Sequence, residues 1–366
     1  MATTQANLGF ITLDGSLTTE NALTVSYIGL DQKLPRTPHG EVLLNAGTIR
    51  GPLRKAAVRV IRREYAKAKG VSEVGLLSLT DDYMLGTGYD RSREVNNEKA
   101  DGADPAAEVR LRAINPMLSL FGRWGLAGYL TTWEMRASEE SVMMAGQGAR
   151  ADQYEREPSS VDYLSDSDKE TLEKEIQANR AIQKRIDDEK KVLATMGREY
   201  RTAESDKDKK AVGKRMDKQK EVIAEIEQSR EGGEHSIKHP LGGVEVISAG
   251  TTLSSGFELI QGKPVYLGLL LHTLNEFARN PHLGGHTSKG YGRVSGEYTV
   301  SAWSADTMQP EALGTVRFDK SGFHIEGDAL QAAYDDFPAA IGDCRFDIHT
   351  LKALREYEQA NDKQEA

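Results

Sequence analysis

Residues 264–303 have the sequence PVYLGLLLHTLNEFARNPHLGGHTSKGYGRVSGEYTVSAW, which predicts a helix, a glycine-rich loop and a strand in that order. The apolar residues of the first part recur at helical spacing and form one continuous stripe: Leu267, Leu270, Leu271, Leu274, Phe277 and Ala278. Pro264 suits the first turn of this helix, and Asn280 with Pro281 ends it. The alternation of Val, Tyr and Thr over 293–303 is typical of a strand.

The chain before this stretch supplies the other elements of an α+β fold. Residues 8–19 predict a first strand, and residues 52–69 predict an amphipathic helix with a proline in its first turn. The apolar stretch 115–135 is expected to end in a strand, and residues 244–260 predict another strand. This order is that of a ferredoxin-like (RRM-like) βαββαβ core with large insertions, whose solvent-facing sheet surface RNA-binding proteins often use. The polar, glycine-containing segment 81–112 predicts a mobile loop or an insertion.

Residues 165–231 differ from the rest, because they contain seventeen basic and seventeen acidic residues and no proline. Their sparse apolar residues lie at helical intervals on either side of a polar stretch, which predicts a charged antiparallel helical hairpin. We therefore expect a core formed by 1–164 and 236–351, an inserted hairpin at 165–235 and a disordered polar tail at 352–366.

Composition excludes several classes of protein. Cys344 is the only cysteine, so an internal disulfide, a cysteine-based zinc site and a Cys-x-x-Cys redox site are impossible. No apolar run approaches the ~18 residues of a membrane span, and the polar start lacks the apolar segment of a signal peptide, so we expect a cytoplasmic protein without a membrane partner. His235 and His239 lack a partner that would complete a metal site, so no metal site is predicted.

The net charge of −9 conceals a strong asymmetry. Eight basic residues and one acidic residue, Glu64, lie between Arg50 and Lys69, whereas residues 301–366 contain thirteen acidic and six basic residues. A cationic helix face on an acidic body suits RNA binding and head-to-tail assembly of identical subunits. The alternative is a solvated helix face without a ligand.

The glycine-rich loop GGHTSKGYG, residues 284–292, has four glycines among nine residues. Such a loop lets backbone N–H groups approach a polyanion closely, and His286, Ser288, Lys289 and Arg293 add donors. It does not fit the Walker pattern and follows a helix instead of preceding one, which disfavours nucleotide hydrolysis. A tight turn before the last predicted strand is the alternative.

Four segments in this order resemble motifs of the RAMP superfamily of CRISPR proteins. They are AGTIRGPLR (46–54), NPMLSLFG (115–122), GARADQYEREPSS (148–160) and GGHTSKGYGRV (284–294). The resemblance covers nearly the whole chain except 165–235 and the C-terminal tail. The chain most resembles the backbone subunits of type III and type IV effector complexes of class 1, and the helical hairpin favours type IV.

The resemblance implies a prokaryotic, non-catalytic subunit that polymerises along a guide (CRISPR) RNA. Its partners would be the guide, the target nucleic acid, further copies of itself and other effector subunits, without a cofactor. By position in the motifs, the RNA-binding residues would be Thr48, Ile49, Arg50, Gly51, Arg54, Lys55, Arg59, Arg150, Gly284, Gly285, His286, Thr287, Ser288, Lys289, Gly290 and Tyr291.

Asp31 raises the question of catalysis. Target-cleaving members of the family have an aspartate after the first strand, and Asp31 has a similar position relative to Gly51. A carboxylate there would hold Mg²⁺ or orient a 2′-hydroxyl for attack on the phosphate, whereas the alternative is an aspartate that fixes a turn. A metal-dependent endoribonuclease and a coiled-coil adaptor acting through the hairpin are thus the two other functions that the sequence permits.

Overall fold

The computed structural model describes residues 9–25, 33–89, 104–145, 162, 164–202, 205–228, 244–304 and 309–365. Two compact units are present, one formed by 1–146 with 243–366 and the other by 147–242. The strands are β1 (Phe10–Thr19), β2 (Val42–Leu44), β3 (Leu130–Thr132), β4 (Met135–Ala137), β5 (Val142–Ala145), β6 (Val244–Ile247), β7 (Thr252–Leu259), β8 (Val294–Trp303), β9 (Glu311–Asp319) and β10 (Gly322–Glu326). The helices are α1 (Gly47–Lys69), α2 (Leu79–Thr87), α3 (Pro105–Ile114), α4 (Pro116–Phe121), α5 (Asp166–Thr202), α6 (Asp206–Gln228), α7 (Pro264–Ala278), α8 (Asp328–Ala340) and α9 (Leu351–Glu365).

The larger unit is built on an eight-stranded sheet with the order β10-β9-β8-β1-β7-β4-β2, in which β3 also pairs with β7. Its central strands β8, β1, β7 and β3 pair antiparallel. Together with α1 and α7 they have the strand order of a ferredoxin-like βαββαβ core. The predicted α+β class is confirmed, and β9, β10 and α8 extend the core beyond the predicted plan.

Alternation along β1 determines which face of the sheet is buried. Ile11, Leu13 and Leu17 are fully buried, whereas Asp14 is exposed on the opposite face. The helix α7 packs against α1 and α8 and is buried over most of its length. It begins at Pro264, as predicted. A helix this apolar on nearly every side is stable only inside a core, which explains its burial.

The segments predicted to be irregular contain helices. Residues 81–112 were expected to form a loop, but α2 covers their start and α3 their end. Ser78 and Asp81 cap the first turn of α2 reciprocally, and the Asp104 side chain accepts a hydrogen bond from the amide of Ala107 in α3. These polar residues act as helix caps, which a reading of composition alone mistakes for loop signals.

The predicted disorder of 352–366 is wrong for the described part of this segment. The helix α9 runs to Glu365, and Leu351 and Leu354 are buried with Leu111 of α3 in a small apolar cluster. Arg110 and Glu358 form an ion pair on the surface of the same contact. The two leucines, three residues apart, form an apolar stripe that the surrounding charged residues obscure.

The smaller unit contains the predicted antiparallel helical pair. The helix α5 has 37 residues and α6 has 23, which correspond to lengths of about 55 Å and about 35 Å. Ile186, Ile223 and Ile226 form its small buried cluster. The contacts Arg215–Glu199 and Gln219–Glu189 show the antiparallel direction. No helix among the described residues is both long and apolar enough to cross a bilayer.

Candidate nucleic-acid interface

The first turns of α1 direct two arginines toward backbone carbonyls. The helix begins at Gly47 and not at the predicted Pro52, so Arg50 lies within its first turn. The Arg50 guanidinium donates through Nη1 to the carbonyl of Leu130 and through Nη2 to that of Phe121, at 2.9 Å for the second bond. It also lies 5.6 Å from the centre of the Phe121 ring. Arg50 is only partly buried, and its Nε and one hydrogen on each Nη have no acceptor among the described residues.

Arg54 lies one turn further along α1 and is only 9% exposed. Its guanidinium donates to the carbonyls of Leu85 at 2.6 Å and Gly122 at 2.8 Å, and it makes longer bonds to Met84 at 3.2 Å and Phe121 at 3.3 Å. Burial, together with the nearby charge of Arg50, lowers the pKa of Arg54 to about 10. Neither arginine has an ion pair with a described carboxylate.

These side chains form the floor of an open cleft of about 610 Å³, which we call the arginine cleft. Its lining consists of Arg50, Arg54, Thr87, Gly88, Tyr89, Phe121, Arg123, Trp124, Leu126, Ala127, Gly128, Leu130, Thr131 and Thr132. These lining residues include three arginines and no carboxylate. Because Arg50 and Arg54 have no described carboxylate partner, they make their side of the cleft a local positive region suited to an anion, in a protein of net charge −9.

The rest of α1 is less cationic than its sequence suggests. Arg59 and Arg63 both pair with the buried carboxylate of Glu276 in α7, at 2.9 Å and 2.7 Å, and Arg62 pairs with Asp82. Burial acts to raise the pKa of Glu276, but the hydrogen bonds from Arg63 and Arg59 outweigh it and lower the pKa. Because these guanidinium groups are already neutralised, they have less charge to offer a phosphate.

The remaining predicted residues of α1 divide by burial. Ile49 is in the core and Thr48 is buried, so the side chains of these two predicted RNA contacts face inward. Gly51 and Lys55 are exposed, and Lys55 has no ion pair with any residue that the structure describes. Lys55 is thus an exposed cation without an ion pair among the described residues, as is Lys67 near the end of the helix.

The glycine-rich loop is shaped first by close backbone packing. Gly284 and Gly292 have positive φ angles of 73° and 84°. A Cβ atom on Gly284 would lie 2.1 Å from the carbonyl oxygen of Thr24, and one on Gly292 would lie 2.0 Å from that of Leu283. The amides of Gly285 and Gly292 donate to the chain after β1, at Thr24 and Ala22. These contacts require glycine for the fold, whether or not a ligand binds.

The tip of the loop retains groups that can bind an anion. It forms a short 3₁₀ turn, Thr287–Lys289, which follows His286 at a positive φ of 56°. The amides of His286, Thr287 and Ser288 have no acceptor among the described residues, and Ser288 and Lys289 are exposed. His286 contacts the Tyr291 ring edge-on, and Gly290 accepts a hydrogen bond from Asn21.

Arg293 is an exception to the expected donors of the loop, because it forms an ion pair with Glu20 at 2.8 Å. Its guanidinium therefore binds the residue that directly follows β1 and has less charge to offer a phosphate.

Sheet register separates the arginine cleft from the loop. The cleft includes Leu130, which is level with Leu259 and Ile11, whereas the loop leads into Val294, which is level with Thr19. Eight residue steps along β1 correspond to about 26 Å. The structure brings Arg50 and Arg54 together, and it places the glycine loop at the other end of the strands.

The centre of the open face of the sheet is acidic. Asp14, Glu258 and Glu297 lie on the same face of β1, β7 and β8, opposite the buried apolar residues. Trp133 covers Gly256 on this face and donates from Nε1 to Glu258 at 3.0 Å. Arg317 and Arg136 lie on this face farther from β1. Carboxylates repel phosphates, so the central part of the face disfavours the sheet-surface mode of RNA binding that the predicted RRM-like plan suggests.

Two predicted residues, Asp31 and Arg150, lie outside the described residues. Within the described ranges, no group of three His, Cys, Asp or Glu side chains could hold a metal ion. Catalysis through Asp31 stays a prediction.

Sequence reasoning missed Tyr89, Arg123 and Trp124 in the arginine cleft. The last two follow the predicted Leu-Phe-Gly segment directly, within FGRWG at 121–125. The available signal was a tryptophan next to an arginine in a glycine-bounded turn, a combination common in binding surfaces.

Comparisons with known proteins give little beyond this geometry. No protein-family model matches the chain, and no curated protein matches it. Among solved structures, it is similar to the crystal structure of Thermofilum pendens Csc2, with a TM-score of 0.37 and 12% sequence identity over 96% of this chain and 90% of that chain. At this TM-score and identity, the similarity assigns neither fold nor function.

Proposed function

We propose that this chain is a guide-RNA-binding backbone subunit of a CRISPR effector complex and that it holds the sugar-phosphate chain at the arginine cleft. The observation that carries the proposal is the pair Arg50 and Arg54, which lie in a cleft without a lining carboxylate on a chain of net charge −9. The four motifs that resemble the RAMP superfamily support the CRISPR assignment.

The geometry suits binding that is independent of base sequence. A guide differs from one complex to the next, so a backbone subunit must contact phosphates and sugars more than base edges. Two backbone carbonyls already fix the Arg50 guanidinium, so little side-chain entropy is lost when its remaining N–H groups meet a phosphate. Arg54 adds positive charge from below.

The glycine loop is the second contact in this proposal. The three amides at His286, Thr287 and Ser288, with the exposed Lys289, form a donor-rich turn about 26 Å along the strands from the cleft. An extended single strand of several nucleotides would reach from one to the other. Self-assembly would then repeat this path on successive copies along the guide.

Salt dependence tests the proposal. Full-length protein freed of nucleic acid should bind a fluorescent single-stranded RNA, with affinity falling steeply between about 50 mM and about 200 mM salt. Arg50→Glu should weaken binding and reduce the salt slope, while Lys363→Glu, an exposed change in α9, should leave both unchanged. Binding that ignores salt, or equal losses in both variants, would refute the phosphate-binding role.

The non-catalytic part of the proposal has its own test. Complex assembled on a guide should leave complementary RNA intact in the presence of Mg²⁺. Regular cleavage that disappears in Asp31→Ala would instead establish the endoribonuclease.

A further inference from the structure

Two large aromatic side chains stand exposed on the arginine cleft. Tyr89 is 53% exposed and Trp124 is 58% exposed, and both line the cleft. The amide of Trp124 donates to the carbonyl of Gly88 at 2.7 Å. This hydrogen bond holds the backbone of Trp124 next to that of the residue before Tyr89. Two aromatic rings exposed on one positively charged cleft are typical of a surface that binds a ligand or a partner.

The backbone that carries Trp124 is rigid. Arg123 and Leu126 exchange backbone hydrogen bonds of 2.8 Å and 2.9 Å, so Trp124 and Gly125 form the tip of a tight turn. Gly125 has a φ of 80°, the conformation that such a turn requires. The Arg123 guanidinium also donates to the carbonyl of His349 at 2.8 Å and to that of Trp124 at 3.0 Å. The backbone position of Trp124 is therefore fixed, which lowers the entropy cost of stacking.

The chemistry of the cleft favours a nucleotide over an apolar peptide. Its positive floor suits a phosphate, its exposed rings suit a base, and its volume of about 610 Å³ is that of a small-molecule site. Thr131 is exposed in the same lining, and its hydroxyl can serve the polar edge of a base or a ribose.

We propose that Tyr89 and Trp124 form a stacking subsite for one unpaired base of single-stranded RNA, whose phosphate contacts Arg50. This inference rests on the proposed RNA-binding function and adds a defined position at which a base leaves the stack. Stacking on an aromatic ring tolerates any base, so the subsite is compatible with guides of any sequence.

A fluorescent base analogue tests the subsite. Single-stranded RNAs carrying 2-aminopurine at successive positions are titrated into the full-length protein. We expect one position, or a regularly repeated position on longer RNA, to change its emission on binding. Trp124→Ala should remove this change and weaken binding about five- to a hundredfold, with the salt slope unchanged because no phosphate contact is lost.

Matched variants separate stacking from other roles. Trp124→Phe should restore most of the binding, Tyr89→Ala should reproduce part of the loss, and Trp303→Phe, a 40% exposed tryptophan outside the cleft, should change nothing. Wild-type emission changes that persist in both Trp124→Ala and Tyr89→Ala would overturn the subsite while leaving RNA binding intact. Wild-type protein that binds no RNA at all would overturn the proposed function and the subsite with it. An apolar peptide that competes for the cleft while RNA does not would assign it to a protein partner.

Discussion

Arg54→Ala should destabilise the protein much more than Arg50→Ala, although the two residues are adjacent on one helix face and the sequence treats them alike. Arg54 makes four hydrogen bonds to backbone carbonyls of α2 and of the C-terminal end of α4 with the residue that follows it. Its removal takes away the closest donors of the Leu85 and Gly122 carbonyls, whereas the Phe121 carbonyl keeps Arg50 and the Met84 carbonyl keeps the amide of Gly88.

The magnitude follows from the number and burial of the bonds. Four bonds from a charged donor contribute about 6 kcal/mol in total, and relief from burying a guanidinium without a counter-ion offsets about 3 kcal/mol of this. We therefore expect a loss of about 3 kcal/mol in the free energy of unfolding for Arg54→Ala. For Arg50→Ala we expect about 1 kcal/mol, because Arg50 makes two such bonds and is only partly buried.

Denaturant unfolding followed by tryptophan emission measures this difference. The chain has three tryptophans, at 124, 133 and 303, and all belong to the larger unit, so the signal reports on that unit alone. Arg50→Ala should then lose RNA affinity with near-normal stability. Equal stability losses in the two variants, or a larger loss for Arg50→Ala, would refute the structural role assigned to Arg54.

Three further predictions concern the fold. Hydrogen bonds from Arg36 lower the pKa of Glu245. This pair should therefore stabilise the protein above the ordinary carboxyl pKa, and the stabilisation should disappear as the pH falls through the lowered pKa. When the free energy of unfolding is measured against pH, Arg36→Gln should lose less stability in acid than the wild type. Leu354→Ala should cost about 2–4 kcal/mol of unfolding free energy, and rapid amide exchange throughout α9 would contradict its packing. Gly284→Ala should destabilise by more than about 1 kcal/mol, whereas Gly285→Ala, whose added Cβ meets nothing within 4 Å, should be nearly neutral by the same denaturant assay.

The sequence predicts elements well where a local pattern is complete. The helix α7 is bounded by Pro264 and Pro281 and is apolar nearly throughout, so its existence and limits follow from the residues themselves. The start of α1 is predicted five residues late, because Pro52 was assigned to the first turn. A proline early in a helix loses little, so its position alone does not fix the start.

The contacts of the candidate site could not be predicted from local sequence patterns. Arg54 and Arg59 are two arginines of the same helix, yet Arg54 contacts carbonyls 30 to 68 residues away and Arg59 pairs with a carboxylate 217 residues away. Sequence spacing on one helix cannot reveal such partners, since they come from α2, α4 and α7. For the same reason, the sequence does not predict the aromatic residues of the cleft, since only the fold places Tyr89 and Trp124 in the same cleft.

Photo-crosslinking of single-stranded RNA to the nucleic-acid-free, full-length protein, followed by mass spectrometry of the peptides, tests the central claim most directly. Binding at the arginine cleft predicts crosslinks in the peptides that contain Tyr89 and Trp124, with loss of these crosslinks in Arg50→Glu. Crosslinks confined to α5 and α6, or to the acidic sheet face around Asp14, would contradict it.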